Sequence, residues 1–426
     1  MNESLLHTIW KYKLTGTVNY IGTKQEVIKI ISIGEHNQNS GPDFFNSKVE
    51  INNLLLVGNL EIHVKTSDWL KHKHQSDKAY DNLVLHVVYE HDVELPQNLN
   101  HNVSVVELKK YIKSELIEKY NSIRHSEQKI ACGKSIATVE HFIWKSWLDR
   151  LVISRLEEKT NYITTVFNSV NHNFEETLYI ILSRNFGFKI NNVAFELLAK
   201  STPYNVLKKY ADNTIQMEAI LFGNAGLLDE LFQDKYPKQL QNEYEFLKHK
   251  HQFISLKKDI WKFSKTRPAN FPTIRISQLV QLIKKQQSLY HFLENKPSLD
   301  EIKLFFDIES NDYFQSHFKF DHPSSIRSIK KLGNAGFNVI VINVIVPFLF
   351  FISLQQSNEE LKEYALDLLA GLNPEINTKT NEYLKLDIHQ ENALESQALI
   401  QLYDSFCSVK KCLDCHVAKF LLKTAN

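Results

Sequence analysis

An aspartate behind a proline, Gly41-Pro42-Asp43-Phe44, is followed about one hairpin later by Gly58-Asn59-Leu60-Glu61-Ile62-His63-Val64-Lys65. Side chains on a strand alternate between faces. Glu61, His63 and Lys65 therefore share one face, and Leu60, Ile62 and Val64 share the other. Pairing of the two strands brings Asp43 close to Glu61. Two carboxylates with a proton-handling group beside them are what a magnesium-dependent phosphodiesterase requires. The acids hold the cation, and His63 or Lys65 positions the water and offsets charge on the phosphate. A wet Glu-His-Lys face is also ordinary in an antiparallel sheet, so the chemistry depends on the elements that position it.

Those elements can be read from periodicity. Glu3 to Leu14 carries Leu5, Leu6, Ile9, Trp10 and Leu14 at helical spacing. Glu26 to Ile33 alternates like a strand. Lys48 to Ile51 and Leu54 to Val57 predict a hairpin turning at Asn52-Asn53, a pair that tolerates positive φ, and Gly58 to Lys65 continues the second strand. Trp69 to Asp81 is polar and helical in part. Asn82 to Tyr89 is a near-continuous apolar strand, buried on both faces. The stretch after the motif is rich in ligand-type residues: Asp68, His72, His74, Asp77, Asp81, His86 and His91. His63 and His86 form the pair to watch, because neighbouring strands can bring them together. His72 and His74 sit among Lys71, Lys73 and Lys78, which describes a solvated basic face suited to phosphate contact. Trp69 either stacks on a base or packs.

With that order of helix, strands, helix and strand, residues 1 to 95 resemble the core of the PD-(D/E)xK nuclease superfamily. The resemblance implies a restriction-endonuclease-like α/β domain in which Asp43 and Glu61, assisted by the carbonyl of Ile62, ligate Mg²⁺ or Mn²⁺, with Glu3 as an extra ligand. It departs at His63, which stands where a lysine is usual; Lys65 lies one step further along the same face and is the substitute. The chain as a whole also resembles an uncharacterised bacterial family known as a domain of unknown function, through Ser40 to Phe44, Glu61 to Trp69, Leu85 to Val88 and Cys407 to Cys415. That second resemblance implies no activity.

The four cysteines are Cys132, Cys407, Cys412 and Cys415. Three fall within nine residues as Cys-x4-Cys-x2-Cys. So few cysteines, clustered in this way, do not describe a disulfide scaffold. The N-terminus shows no signal-peptide pattern, and in a reducing cytoplasm a metal site explains the cysteines best. Four thiolates suit Zn²⁺ or a 4Fe–4S cluster, and His416 is a spare ligand. The neighbouring Lys410 and Lys411 are expected to lower the thiol pKa values. The pattern resembles the iron–sulfur staple of some PD-(D/E)xK nucleases. There the lone cysteine precedes the nuclease motif, whereas Cys132 follows it, so the staple is expected to clasp a helical domain.

The chain has 426 residues, too many for one ordinary domain. Its 50 basic and 49 acidic residues leave a net charge of +1, so no global charge demands nucleic acid. From about Thr138 the pattern turns helical. The expected organisation is α+β: a nuclease-like α/β domain over 1–115, then an all-α domain over 130–426 ending in the cysteine site. Val339 to Ser353 is the longest apolar run; holding Asn343 and Pro347, it falls short of the ~20 residues that span a bilayer and reads as a buried kinked helix. Asn343 there needs a hydrogen-bond partner. Arg267 and Arg275 are candidate phosphate contacts. Gly133-Lys134-Ser135 lacks the upstream glycine of a P-loop, since Gln128 stands there, which excludes nucleotide hydrolysis. Three functions follow as expectations: a metal-dependent nuclease acting on DNA or RNA in nucleic-acid processing or repair; a degraded nuclease core that binds or assembles on nucleic acid; and a hydrolase with a histidine-held metal built from His63, His72, His74 and His86.

Overall fold

Alternating apolar residues and a pair of asparagines build the sheet that carries the carboxylates. The computed structural model describes residues 1–37, 39–95, 103–264, 266–285 and 289–424. Helix α1 (Glu3–Lys11) begins at Asn2, whose side chain accepts the Leu5 amide, and its buried face presents Leu5, Leu6, Ile9 and Trp10. Strands β1 (Asn19–Ile21), β2 (Val27–Ser32), β3 (Glu35–His36), β4 (Phe44–Ile51) and β5 (Leu54–Lys65) follow. A short helix α2 (Asp68–Lys71) then leads to β6 (Leu83–Glu90), β7 (Ser104–Glu107) and helix α3 (Ser114–Arg124). The sheet order is β1-β2-β4-β5-β6-β7, with β3 beside β4. From β1 to β5 the neighbours are antiparallel; β5, β6 and β7 are parallel. The β4–β5 turn has Asn52 at φ 47° and Asn53 at φ 67°, the positive pair that a two-residue hairpin of this twist requires. Past β1 the chain reaches β7: Gly22 bridges Val106, and the Thr23 amide donates to the Val105 carbonyl at 2.9 Å. The two edges of the sheet approach each other at this bridge.

One face of the sheet forms the core. Leu60 and Ile62 of β5, Leu85 and Val87 of β6 and Val106 of β7 pack with α1, with Leu116 and Tyr120 of α3, and with Leu422 of the last helix, His416–Lys423. Glu61, His63 and His86 point to the opposite face, and they too are buried.

The chain divides into two compact units. The first comprises Met1–Asp149, Asn377–His389 and Leu399–Asn426; the second comprises Arg150–Ile376 and Gln390–Ala398. This division differs from the expected boundary between residues 115 and 130, and it puts the C-terminal cysteine segment with the sheet instead of with the helices. The physical reason is burial: Leu413 and Leu422 join the core of the sheet. Helical periodicity marks Leu422 as apolar but carries no record of its partner.

The second unit is helical, with elements that include Phe174–Phe186, Phe188–Ser201, Thr214–Asn224, Lys235–His251, Pro272–Lys285 and Glu359–Ala370. The apolar run lies in a longer helix, Gly333–Gln356, which by length and composition could cross a membrane. Its most apolar window is 78% buried inside the fold. A π-helical turn at Val341–Ile345 precedes Pro347, so the missing proline N–H falls where the regular ladder is already broken. Asn343 finds its partners here: Lys159 Nζ donates to its Oδ1 at 3.0 Å, and its Nδ2 donates to the Val339 carbonyl at 3.0 Å. Burial, then Arg155, brings the Lys159 ammonium down to about 7. Arg275 is buried and donates to Gln278 Oε1 at 2.8 Å and Asn270 Oδ1 at 2.6 Å. It clamps its own helix start and offers no phosphate contact, while Arg267 is exposed.

Candidate functional site

Asp43 is positioned by a loop held from within. The Asn37 side-chain amide donates to the carbonyls of Asn39, Ser40 and Pro42, and the Asn37 backbone amide donates to the Asp43 carbonyl at 2.7 Å. Gly41 turns the chain at φ 98°, a region open to glycine. Phe44 then pairs with Leu60, and a bulge before Ser47 twists the strand end. Asp43 and β5 exchange two hydrogen bonds: the Asp43 amide donates to Glu61 Oε2 at 3.1 Å, and the Ile62 amide donates to Asp43 Oδ2 at 2.8 Å. The two carboxylates expected to meet do meet, each fixed by the other's strand.

The histidines assemble on the same side. Parallel pairing of β5 with β6 sets Glu61 opposite His86, and His63 Nδ1 lies 2.9 Å from His86 Nε2. His63 Nε2 lies 3.1 Å from His72 Nδ1 and 3.5 Å from Glu61 Oε1, and His74 Nε2 is 3.4 Å from the same oxygen. His63, His72 and His74 each offer a ring nitrogen within 4.8 Å of the other two. They converge because the chain after β5 folds back through α2 and two 3₁₀ turns, His74–Ser76 and Lys78–Tyr80. Lys71, Lys73, Lys78 and His72 are exposed, as a solvated face requires, whereas His74 is half-buried. Trp69 is 3% exposed and packs against His74 and His86 with centroids 5.2 and 5.3 Å away. It is a wall of the cluster and has no face free for a base.

Three further residues define the site's edge. His7 on α1 lies with Nε2 3.2 Å from Asp43 Oδ2, and His36 meets the His7 ring edge-on at 5.9 Å. Neither was singled out from sequence; His7 stands four residues after Glu3, which puts both on one face of α1, and that spacing was the available signal. Glu3 feels Asp43, Asp68, His7 and His72 electrostatically, and burial raises its carboxyl. Two other candidates stand apart. Lys65 is exposed, its charge acting on Asp92; it shares the face of Glu61 and His63 but sits roughly 6.6 Å beyond His63 along the strand. Asp68 accepts the Lys65 amide at 2.9 Å and Lys71 Nζ at 2.6 Å, as a loop cap does.

Burial dominates the electrostatics. It pushes the Glu61 carboxyl up to about 9, with Asp43 adding to the shift. His63 is driven down to about 2 by burial and then by His86, and His86 to about 3 by burial and then by His74. At neutral pH the cluster therefore holds a protonated Glu61 and neutral imidazoles at His63 and His86, the form of histidine that ligates metals. His7 Nε2, His36 Nδ1, His74 Nε2 and His86 Nδ1 are buried without a hydrogen-bond partner; the His7 and His74 contacts to carboxylate oxygens are not aligned for one. Each such atom costs roughly 1–3 kcal/mol, and several in one cluster call for an ion or water to satisfy them. The donor set fits a divalent cation.

The four cysteines gather in the first compact unit. Cys132 precedes a 3₁₀ turn, Cys407 ends a π-helical turn, and Cys415 precedes the last helix. All four are free, and Cys132 is coupled electrostatically to the other three. Tyr383 Oη lies 3.5 Å from Cys407 Sγ. Burial raises all four thiols, Cys407 to about 12. Lys410 opposes this at Cys412 but burial wins, reversing the expected lowering. The His416 ring lies parallel to Trp147 at 4.4 Å.

Residues 3–378 match the family described as protein of unknown function (DUF2851). The chain belongs to that family. No curated protein and no solved structure matches it. The matched DUF2851 segment takes in Glu3, Asp43, Glu61, the histidine cluster and Cys132, and ends before the Cys407–Cys415 trio.

Proposed function

We propose that this DUF2851 protein is a metal-dependent nuclease that hydrolyses phosphodiester bonds of nucleic acid, DNA foremost. The observation that carries the reading is the reciprocal hydrogen bonding of Asp43 with Glu61 and Ile62, which fixes two carboxylates at one strand end. The order of α1, antiparallel β2, β4 and β5, a short helix and then β6 parallel to β5 supports a PD-(D/E)xK core. Asp43, Glu61 and the Ile62 carbonyl would hold Mg²⁺ or Mn²⁺, with Glu3 at the margin. Such a cation, when bound, polarises the phosphate and acidifies water. His63, 3.5 Å from Glu61, stands where the lysine is usual and would help position the attacking water. His7, next to Asp43, can offset charge on the phosphate. The four cysteines, one buried and three half-buried in the same compact unit, support a second metal, Zn²⁺ or a 4Fe–4S cluster, with a structural role.

A second reading has its own observation. The three ring nitrogens of His63, His72 and His74 lie close enough to share one ion, the ligand number of a catalytic zinc site; such a protein would be a hydrolase with a histidine-held metal. Calorimetric titration of Mn²⁺ and Zn²⁺ into variants separates the two. The nuclease reading expects Mn²⁺ affinity to fall at least ~10-fold in Asp43→Ala and to stay near wild type in His72→Ala and His74→Ala. Loss of metal in the histidine variants with retention in Asp43→Ala would select the histidine reading.

A further inference from the structure

A cleft of about 640 Å³ opens beside the carboxylate site, within the same compact unit. One wall is α1 and the end of α3, supplying Lys11, Tyr12 and Arg124; the other is the segment between Cys407 and Cys415 with the start of the last helix, supplying Lys410, Lys411 and Lys419. His7, whose Nε2 lies 3.2 Å from Asp43 Oδ2, lines the cleft as well, so the cleft ends one side chain short of Asp43. Five cationic side chains face one carboxylate in the lining, Asp414, although the whole chain is nearly neutral. Among the described residues none of the five cations makes an ion pair. Lys410 and Lys419 are held by neutral oxygens: Lys410 donates to the Ser126 carbonyl, and Lys419 to Tyr12 Oη and the Asp414 carbonyl. Concentrated positive charge without carboxylate partners is the electrostatic footprint of a polyanion site.

We infer that this cleft is the track along which a single strand of nucleic acid runs to Asp43 and Glu61, and that the cysteine-bearing segment is built to hold its basic wall in place. The inference rests on the nuclease reading for the strand's destination. Single-stranded ligands are held by a positive groove combined with aromatic faces on which bases stack. Tyr12 supplies an aromatic side chain: the residue is 37% exposed, with Lys11 and Lys419 standing 5.9 and 4.5 Å from its ring centroid. Lys410 and Lys411 sit between Cys407 and Cys412, on a loop whose two ends are cysteines of the cluster. Metal held by those cysteines would order the wall, which gives the cluster a bearing on substrate.

The test is fluorescence anisotropy of the full chain with a short labelled oligothymidine, a duplex of the same length, and inorganic phosphate as competitor, without added divalent cation. The wild type is expected to bind the single strand at least ~10-fold tighter than the duplex. The double variant Lys410→Glu/Lys411→Glu should bind at least ~10-fold more weakly, and its salt dependence should be shallower by about 1.4 in log–log slope, two phosphate contacts at ~0.7 each. Arg124→Glu, on another element, should weaken binding in the same direction. Binding is read without divalent cation and without turnover, so failure of the hydrolytic reading leaves this result intact. Unchanged affinity in the folded charge variants, equal affinity for the duplex, or displacement by millimolar phosphate as efficiently as by the strand would overturn the inference.

Discussion

Glu61→Gln is expected to abolish metal-dependent cleavage and yet make the metal-free protein more stable at alkaline pH. The carboxyl is raised to about 9 by burial and by Asp43, against ~4.3 in an unfolded chain. Between those values the folded state binds one proton more than the unfolded state, so stability falls as pH rises, by about 1.4 kcal/mol per pH unit. That contribution is complete below ~4.3 and is lost as pH climbs through about 9. Glutamine reproduces the neutral acid and cannot ionise. Its advantage over wild type in thermal midpoint, with chelator present, should grow between pH 7 and pH 9 by the equivalent of ~2–3 kcal/mol. His63 and His86 act in the other direction. Lowered to about 2 and 3, they take up protons on unfolding below ~6.5, so both proteins should weaken in parallel as pH falls toward 3. In Mn²⁺ the same substitution removes the proposed carboxylate ligand, and cleavage should drop at least ~10³-fold, about 4 kcal/mol of transition-state stabilisation. Parallel stability profiles on the alkaline side would show that Glu61 is not the buried acid described here.

The second large effect is expected at Cys415. Serine is close in size, and in a protein without a metal there Cys415→Ser should cost no more than ~1 kcal/mol. If the four thiols hold a metal, its release also frees the segment that carries Leu413 and Leu422 into the core of the sheet. The loss should then be ~3 kcal/mol or more, a fall of roughly 6–12 °C for a unit of this size. It should be accompanied by loss of stoichiometric zinc, or of iron and the broad visible absorption of an iron–sulfur cluster. A small shift with no metal lost would leave the cysteines as buried thiols and remove the ordering role assigned to them in the cleft.

Much of the site was legible because it obeys short-range rules. Period-two alternation put Glu61 and His63 together, Asn52-Asn53 fixed the hairpin, and Gly41-Pro42 announced the turn that delivers Asp43. His86 was reachable through the apolar run around it, since a strand buried on both faces has a neighbour on each side. What failed to show was set by long-range packing. The half-buried seat of His74 depends on Trp69 and Tyr80 packing against its ring, and its lysine neighbours disguise it. Lys65 shares a face with Glu61, but periodicity does not say where along a strand the site ends. The return of the C-terminal segment to the sheet, and with it the cleft beside His7, rests on contacts between residues ~400 positions apart, such as Lys419 with Tyr12.

The measurement that bears most directly on the central claim is cleavage of single- and double-stranded DNA and RNA in Mn²⁺ by the wild type, Asp43→Ala and Glu61→Ala. The account predicts cleavage by the wild type and its loss in both variants, with DNA as the preferred substrate. No cleavage of any substrate by metal-loaded wild type, or full activity in Asp43→Ala, would contradict it; binding without cleavage would identify a nuclease core that has kept its cleft and lost its chemistry.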